Sequence, residues 1–485
     1  MIDVLIIGAG ITGSLIARKL SSYNLNVHVL DKENDVGNVT SMANSAIVHS
    51  GYDPVPGTKK AKFNVLGNSM YPKLCEELDV HFKMIGSLTV ALYEEQLKLL
   101  ENLAERSKEN GVKVKLLSAD EVKKLEPNIS SEVKGALLAP TAGIVNPFTL
   151  TVHAMENAVD NGVCLHLNEE VIKIVKNGNF YNVQTKSNSY QAKVVINAAG
   201  VHSDQIHAMV EPIDYQITAR KGEYFVLDHY KEGLVNHVIF PLPSEKGKGI
   251  LVSPTTSGNY IVGPSSEIND DRDDVSTDKL TLDEVKRQAL DMVPSIPFNQ
   301  AIRTFSGNRP TPSTHDFIID FAKCDKHFIN VSGIESPGLV SSPAIAEYVV
   351  NELVSQVLTL TKKESFNPYV RKRIDLAKLS YKERNELIKK DPNFGYVVCN
   401  CEKVTLGEIL DELSRSVPPR SVKALKKRTR AGFGKCQGGF CQPLVIKALA
   451  KHFDIPCSEV PLDGPGSEIC KFVTKGGNDK WLKKI

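Results

Sequence analysis

The hydrophobic pattern is clearest at the amino terminus. Ile2 to Ile7 is an almost unbroken apolar run of strand length, which predicts a short parallel strand buried on both faces. The spacing from Ser14 to Leu20 predicts a helix, and Val27-His28-Val29-Leu30 predicts a second strand ending at Asp31. Val194 to Ile196 and Phe328 to Val331 are further apolar runs, each followed by a glycine-containing turn. After the second turn a helix is predicted to open at Ser342-Pro343-Ala344, with helical pattern to near Leu360. Arg220 to Leu227, Gly249 to Ser253 and Gly258 to Gly263 carry the turn-punctuated pattern of an antiparallel sheet. A polar stretch with Lys362-Lys363-Glu364, Arg371-Lys372-Arg373 and Lys389-Lys390-Asp391 reads as a linker with short helices. A helix from Leu406 to Ser414 lies beyond it.

Between the first strand and helix stands Gly8-Ala9-Gly10-Ile11-Thr12-Gly13, a G-x-G-x-x-G loop with an acid about 20 positions on. Glycine there lets the backbone turn tightly and approach a pyrophosphate, whose charge then sits at the helix N-terminus. Asp31 can accept hydrogen bonds from the ribose. Strand, loop, helix, strand and acid in this order imply a dinucleotide site built from Gly8, Gly10, Ile11, Thr12, Gly13, Asp31 and Lys32. No second such unit follows, so a reductase that pairs FAD with NADPH on two Rossmann domains is not expected.

With 485 residues the chain is long enough for two or three domains. Its hydrophobic content (41%) and charged content (24%) are those of a globular protein, and a net charge of +2 gives no global pull toward nucleic acid or membrane. No apolar run approaches membrane-spanning length, and Val4 to Ile7 lacks the basic lead of a secretory signal. A cytoplasmic protein is expected, with peripheral docking on a membrane-associated complex left open.

Five stretches carry a family resemblance. They are the glycine loop, Thr40 to Gly51, Val194 to Gly200, Phe305 to Pro310 before Asp316 to Ile319, and Gly333 to Leu339. In order and spacing they resemble the D-amino-acid-oxidase-like FAD-dependent oxidoreductases. Within these the chain looks most like the glycerol-3-phosphate dehydrogenases and oxidases, with L-2-hydroxyglutarate oxidases close by. Asp31 is a mild departure, since the family often has Glu there.

The resemblance implies an α/β fold: a Rossmann-like FAD-binding domain, an antiparallel-sheet substrate domain and a small, mainly helical carboxy-terminal domain. The expected FAD-binding segments are about 1–79, 141–214 and 306–360, and the substrate segments about 80–140 and 215–305. A linker at 361–394, a cluster domain at 395–455 and an extension at 456–485 would complete the chain. Beyond the glycine loop, the matching stretches bring Thr40, Ser41, Asn44, Ser45, Val171, Ala199, Gly200, Gly307, Gly338 and Leu339 to the flavin.

Oxidising an alcohol at a flavin needs hydride transfer from carbon and removal of the hydroxyl proton, and histidine suits the base. Of the twelve histidines, His49 lies in the loop expected beneath the flavin, where the related enzymes' matching histidine is implicated as base. His315 is the reserve. Arg309 lies in the matching substrate-anchoring segment, and a guanidinium suits phosphate or carboxylate. Lys248 resembles a second anchor, Ser45 and Ser336 are further hydrogen-bonding positions, and Arg303 replaces Arg309 if the register shifts.

Nine cysteines are present, and Cys399, Cys401, Cys436 and Cys441 cluster late in the chain. Two close pairs on glycine-containing loops are a metal signature. Zinc suits four thiolates, but Cys-x-Cys with Gly-Lys-Cys-Gln-Gly-Gly-Phe-Cys resembles the bacterioferritin-associated-ferredoxin-like [2Fe–2S] domain. The basic run Lys423, Lys426, Lys427, Arg428, Arg430 and Lys435 reads as a solvated helix face, or as charge that offsets a cluster or steers an acidic partner.

A cluster takes one electron at a time, which suits relay to a protein partner. The expected activity is FAD-dependent oxidation of sn-glycerol 3-phosphate to dihydroxyacetone phosphate. A 2-hydroxy acid such as L-2-hydroxyglutarate is the alternative substrate, and a non-catalytic flavin-binding subunit is the alternative of another class.

Overall fold

The computed structural model describes residues 1–230, 233–243 and 249–470. They divide into two compact units. One is formed by Met1–Lys32 and Val36–Val370, the other by Glu33–Asp35 and the chain from Arg371.

The first unit opens with strand β1 (Ile2–Ile7), helix α1 (Ile11–Leu20) and strand β2 (Val27–Leu30). Strand β1 lies between β2 and Ser189–Asn197, parallel to both, and β2 pairs in parallel with Cys164–His166. Phe328–Ser332 joins Ser189–Asn197 in parallel, and antiparallel strands flank this centre. Val4, Leu5 and Ile6 have no solvent exposure, which is why their run is apolar on both faces. A second sheet of nine strands contains Ser87–Ala91, Gly135–Ala139, Ile217–Leu227, Tyr260–Gly263 and Ala301–Pro312. It is antiparallel except where Val238–Pro241 runs parallel to Ser87–Ala91. Its longest pairing, Ile217–Leu227 against Ala301–Pro312, carries the site residues contributed by this sheet.

The late helix departs from the sequence expectation. It runs Gly338–Tyr348, so it opens before Ser342 and holds Pro343 in its interior. Proline has no N–H to give the carbonyl four residues back. That carbonyl, on Leu339, instead accepts the hydroxyl of the fully buried Tyr71 at 2.6 Å. Tyr71 belongs to helix α2 (Lys59–Glu77), which itself contains Pro72. The tertiary donor replaces the missing helical one, so the helix continues. Tyr71→Phe is expected to cost about 1–3 kcal/mol by orphaning this acceptor, read as a lowered denaturation midpoint.

The second unit contains the helices Leu406–Leu413, Val422–Thr429 and Gln442–Phe453 and a two-stranded ribbon, Val397–Cys399 with Val404–Thr405. Val398, Ile409, Leu413, Leu425, Val445 and Leu449 form its apolar core.

Candidate flavin and cluster sites

The loop between β1 and α1 is drawn tight. Gly8 has φ +110°, and a Cβ there would stand 2.3 Å from the Ala198 carbonyl oxygen. A Cβ on Gly13 would stand 2.0 Å from the Gly8 oxygen. Both distances exclude any side chain. Asp31 at the end of β2 accepts the Ala9 N–H at 2.6 Å, bracing the same loop. Helix α1 has no side-chain cap at Gly10 and no acid in its first turn, so no carboxylate of the helix itself competes with an anion at its positive end. Ser41 Oγ accepts the Ile11 N–H at 2.8 Å, and the hydroxyls of Thr12 and Ser342 lie 3.1 Å apart. Lys32 donates to Asp273 at 2.7 Å and lies 3.1 Å from the His202 ring.

A second segment is folded against this one. Thr40 donates its hydroxyl to the Asn308 carbonyl at 2.7 Å, and Asn44 ties the carbonyls of Thr40 and Ser41 to the N–H of Ala46. A Cβ on Gly307 would stand 2.3 Å from the Ala43 oxygen, so glycine lets the Ala301–Pro312 strand touch this loop. Ala199 and Gly200 form the turn after Ser189–Asn197. Val171 packs into the apolar cluster with Ile7 and Leu30. Gly338 and Leu339 open the late helix.

Ser45 Oγ lies 3.1 Å from the hydroxyl of Tyr224, whose ring stacks on Phe305 with centroids 4.6 Å apart. Burial raises the Tyr224 phenol above its ordinary pKa, although the Arg309 charge and the Ser45 contact oppose this, so it remains a donor near neutrality. Arg309 gives Nη2 to the Ser265 carbonyl at 2.8 Å and Nε to that of Arg220 at 3.4 Å. Burial pulls its pKa down, opposed by Tyr224 and Glu335. Glu335 is held by Lys60 and Thr311, each at 2.7 Å. The His49 carbonyl accepts from Asn64 and Asn68, and its ring lies 5.7 Å from that of Phe240.

Ser45, Tyr224 and Arg309 are therefore brought into one neighbourhood. Ser336 is exposed in the turn before the late helix, His315 sits exposed with φ +61° beyond the Ala301–Pro312 strand, and Arg303 is an exposed strand residue. Lys248 lies outside the described residues. Tyr224 and Glu335 were not among the expected site residues. Tyr224 reads in the sequence as one more strand position, and only its cross-strand pairing with Phe305 reveals it.

In the second unit Cys399 ends a strand and Cys441 precedes the Gln442–Phe453 helix. The Cys401 and Cys436 sulfurs lie 3.7 Å apart. Cys441 hydrogen-bonds Cys399, and this contact with the backbone N–H groups of Gly432, Glu402 and Cys401 pulls the Cys399 thiol well down despite its burial. Glycine at 434 is required, because a Cβ there would stand 2.2 Å from Cys401 Cβ. Among the described residues no three His, Cys, Asp or Glu side chains are disposed to hold one ion. The thiols instead form two pairs, the donor set of a two-iron cluster.

The basic run is not a solvated face. Lys427 and Arg428 are buried on Asp35, a residue of the same unit, at 2.7 and 2.8 Å. Burial opposes ionisation of Asp35, but the two cations outweigh it and hold the carboxyl well below its usual range. Arg430 pairs with Glu402, Lys423 with Asp463, and Lys426 lies over the Phe433 ring. Lys435 alone of the six is exposed.

The family model for FAD-dependent oxidoreductases (DAO) matches residues 3–352. The chain belongs to this family. A model for BFD-like [2Fe-2S] binding domains matches residues 397–451. The chain is 46% identical over 476 residues to a glycerol 3-phosphate dehydrogenase of Caloramator mitchellensis, covering 98% of this chain and 99% of that protein. It is 35% identical to a glycerol 3-phosphate oxidase of Mycoplasma genitalium, over 76% of this chain and 97% of that one. The reduced, FAD-bound L-α-glycerophosphate oxidase of Mycoplasma pneumoniae superposes with a TM-score of 0.73 at 33% identity, covering 76% and 98%.

This FAD-dependent oxidoreductase thus has an α/β flavin fold followed by a small helical domain, and its cofactors are FAD and a [2Fe–2S] cluster. The tight glycine loop and the start of α1, which carries no acidic residue, fit the FAD pyrophosphate, and the paired thiols fit the cluster. No helix among the described residues is long and apolar enough to cross a membrane.

Proposed function

We propose that the enzyme oxidises the secondary hydroxyl of sn-glycerol 3-phosphate to the ketone of dihydroxyacetone phosphate, passing electrons through the cluster domain to a protein or membrane-associated acceptor from the cytoplasm. The observation that carries this reading is the extent of the match to the Caloramator dehydrogenase. That match spans the flavin unit and the cysteine module together, whereas the Mycoplasma oxidase leaves about a quarter of this chain unmatched.

Bound FAD supplies the hydride acceptor. In this reading His49 takes the hydroxyl proton, so the alcohol loses one hydride and one proton to become the ketone. Arg309 anchors the phosphate, with Lys248 as the second cation. Ser45, fixed by Tyr224, orients the substrate against the flavin. Ser336 offers a further hydroxyl before the late helix.

Anaerobic addition of sn-glycerol 3-phosphate to the purified holoenzyme is expected to bleach the flavin absorbance, followed by the cluster's. L-2-hydroxyglutarate at equal concentration is expected to leave both unchanged. Bleaching by the hydroxy acid alone would transfer the assignment to that substrate. Bleaching by neither, nor by related polyols and hydroxy acids, would favour a non-catalytic subunit.

A further inference from the structure

Because the four cysteines of the [2Fe–2S] domain meet in two thiol–thiol contacts, the ligands can be assigned to individual irons. We propose that Cys399 and Cys441 hold one iron and Cys401 and Cys436 the other, and that the second iron becomes ferrous on reduction. The assignment rests on the cluster reading above and extends it to each cysteine.

The pairing follows from distance. Two sulfurs on one tetrahedral metal, each about 2.3 Å from it, stand about 3.8 Å apart. Cys401 and Cys436 already show 3.7 Å. The side chains of Cys399 and Cys441 are also hydrogen-bonded to each other. Among the described residues no third donor is disposed toward either pair in a way that would hold a single ion.

The choice of iron follows from solvent. Cys399 is 1% exposed and Cys441 3%, whereas Cys401 is exposed and Cys436 half-buried. Reduction by one electron turns a diferric cluster into a ferric–ferrous one, with no bond made or broken, and adds one negative charge. Added charge is less costly beside water than in the apolar core. Backbone N–H groups reach both pairs: Gly432, Glu402 and Cys401 donate to Cys399, and Phe440, Gly438 and Gly439 to Cys436. They therefore do not distinguish the irons, and exposure does. Val398, Val445 and Leu449, in the same apolar cluster as Cys399 and Cys441, keep that pair dry. Electrons consequently leave from the Cys401/Cys436 side, next to the fully displayed Phe440 and Lys435.

The test uses four single variants of the full-length holoprotein, each cysteine changed to serine, with a potentiometric titration of the reduced-cluster EPR signal by dithionite. A serine oxygen is a harder ligand that stabilises ferric iron. On the iron that becomes ferrous it opposes reduction, and on the iron that stays ferric it affects both states alike. Cys401→Ser and Cys436→Ser are each expected to disfavour reduction at least tenfold, about 59 mV for one electron, and to change the EPR g-values together. Cys399→Ser and Cys441→Ser should move it less than threefold. If one member of a pair fails to load iron, the other member reads the same iron. Larger shifts at Cys399 or Cys441, or effects grouping Cys399 with Cys401, would overturn the assignment while leaving the cluster itself in place. Wild-type protein with zinc and no reduced-cluster signal would overturn the cluster reading and the assignment with it.

Discussion

Gly8→Ala is expected to give a folded protein that purifies without FAD. The residue sits at φ +110°, where an L side chain is strained, and its Cβ would press to 2.3 Å on the Ala198 carbonyl. That carbonyl cannot retreat freely, because the Ala198 N–H is bonded to the Ile7 oxygen at 2.9 Å. Relief must come from the glycine loop, which moves away from the position that lets α1 meet a pyrophosphate. Strain of about 3 kcal/mol corresponds to about 100-fold weaker FAD binding, at 1.4 kcal/mol per decade. The ratio of flavin to protein absorbance after purification, and a fluorescence titration with added FAD, measure it. Gly57→Ala is the control, since Gly57 also has positive φ (+82°) but nothing within 4 Å of its added Cβ. Wild-type FAD affinity in Gly8→Ala would refute the loop's role.

His49→Gln is expected to keep FAD bound and to slow anaerobic flavin reduction by about 10²- to 10⁴-fold, the usual contribution of a general base. Asn64 and Asn68 hold this loop through the His49 backbone carbonyl, at 2.7 and 3.1 Å, and glutamine at 49 leaves those two bonds available. The substitution therefore changes the ring's chemistry with the loop retained. Stopped-flow flavin absorbance reads the rate, and the visible spectrum reports flavin occupancy. His315→Gln, in an exposed turn, is expected to leave the rate unchanged. A slow His315 variant beside a normal His49 variant would exchange their roles.

The strand–loop–helix–strand opening was legible because it is local. Strand β1, the glycine loop and the acid at the end of β2 lie within about 30 consecutive residues, each following from its own spacing. The cysteine module was legible for the same reason, through close pairs on short glycine loops. The late helix was misread by its proline, since the compensating hydroxyl of Tyr71 lies 268 residues away in sequence. The basic run was misread because helical spacing does not show that Asp35, almost 400 residues earlier, neutralises Lys427 and Arg428.

By itself, then, the sequence determined the strand–loop–helix–strand opening and the presence of a late cysteine module, since periodicity, glycine loops and cysteine spacing act over a few neighbouring residues. Only the tertiary structure decided that Tyr224 meets Ser45, that the Glu335 charge bears on the buried Arg309, and that Cys399 and Cys441 are buried while Cys401 is exposed. Those arrangements depend on cross-strand register, burial and charge neutralisation between distant segments. Such interactions arise only when the chain has folded, because hydrogen bonding and desolvation are set by whatever surface a residue meets.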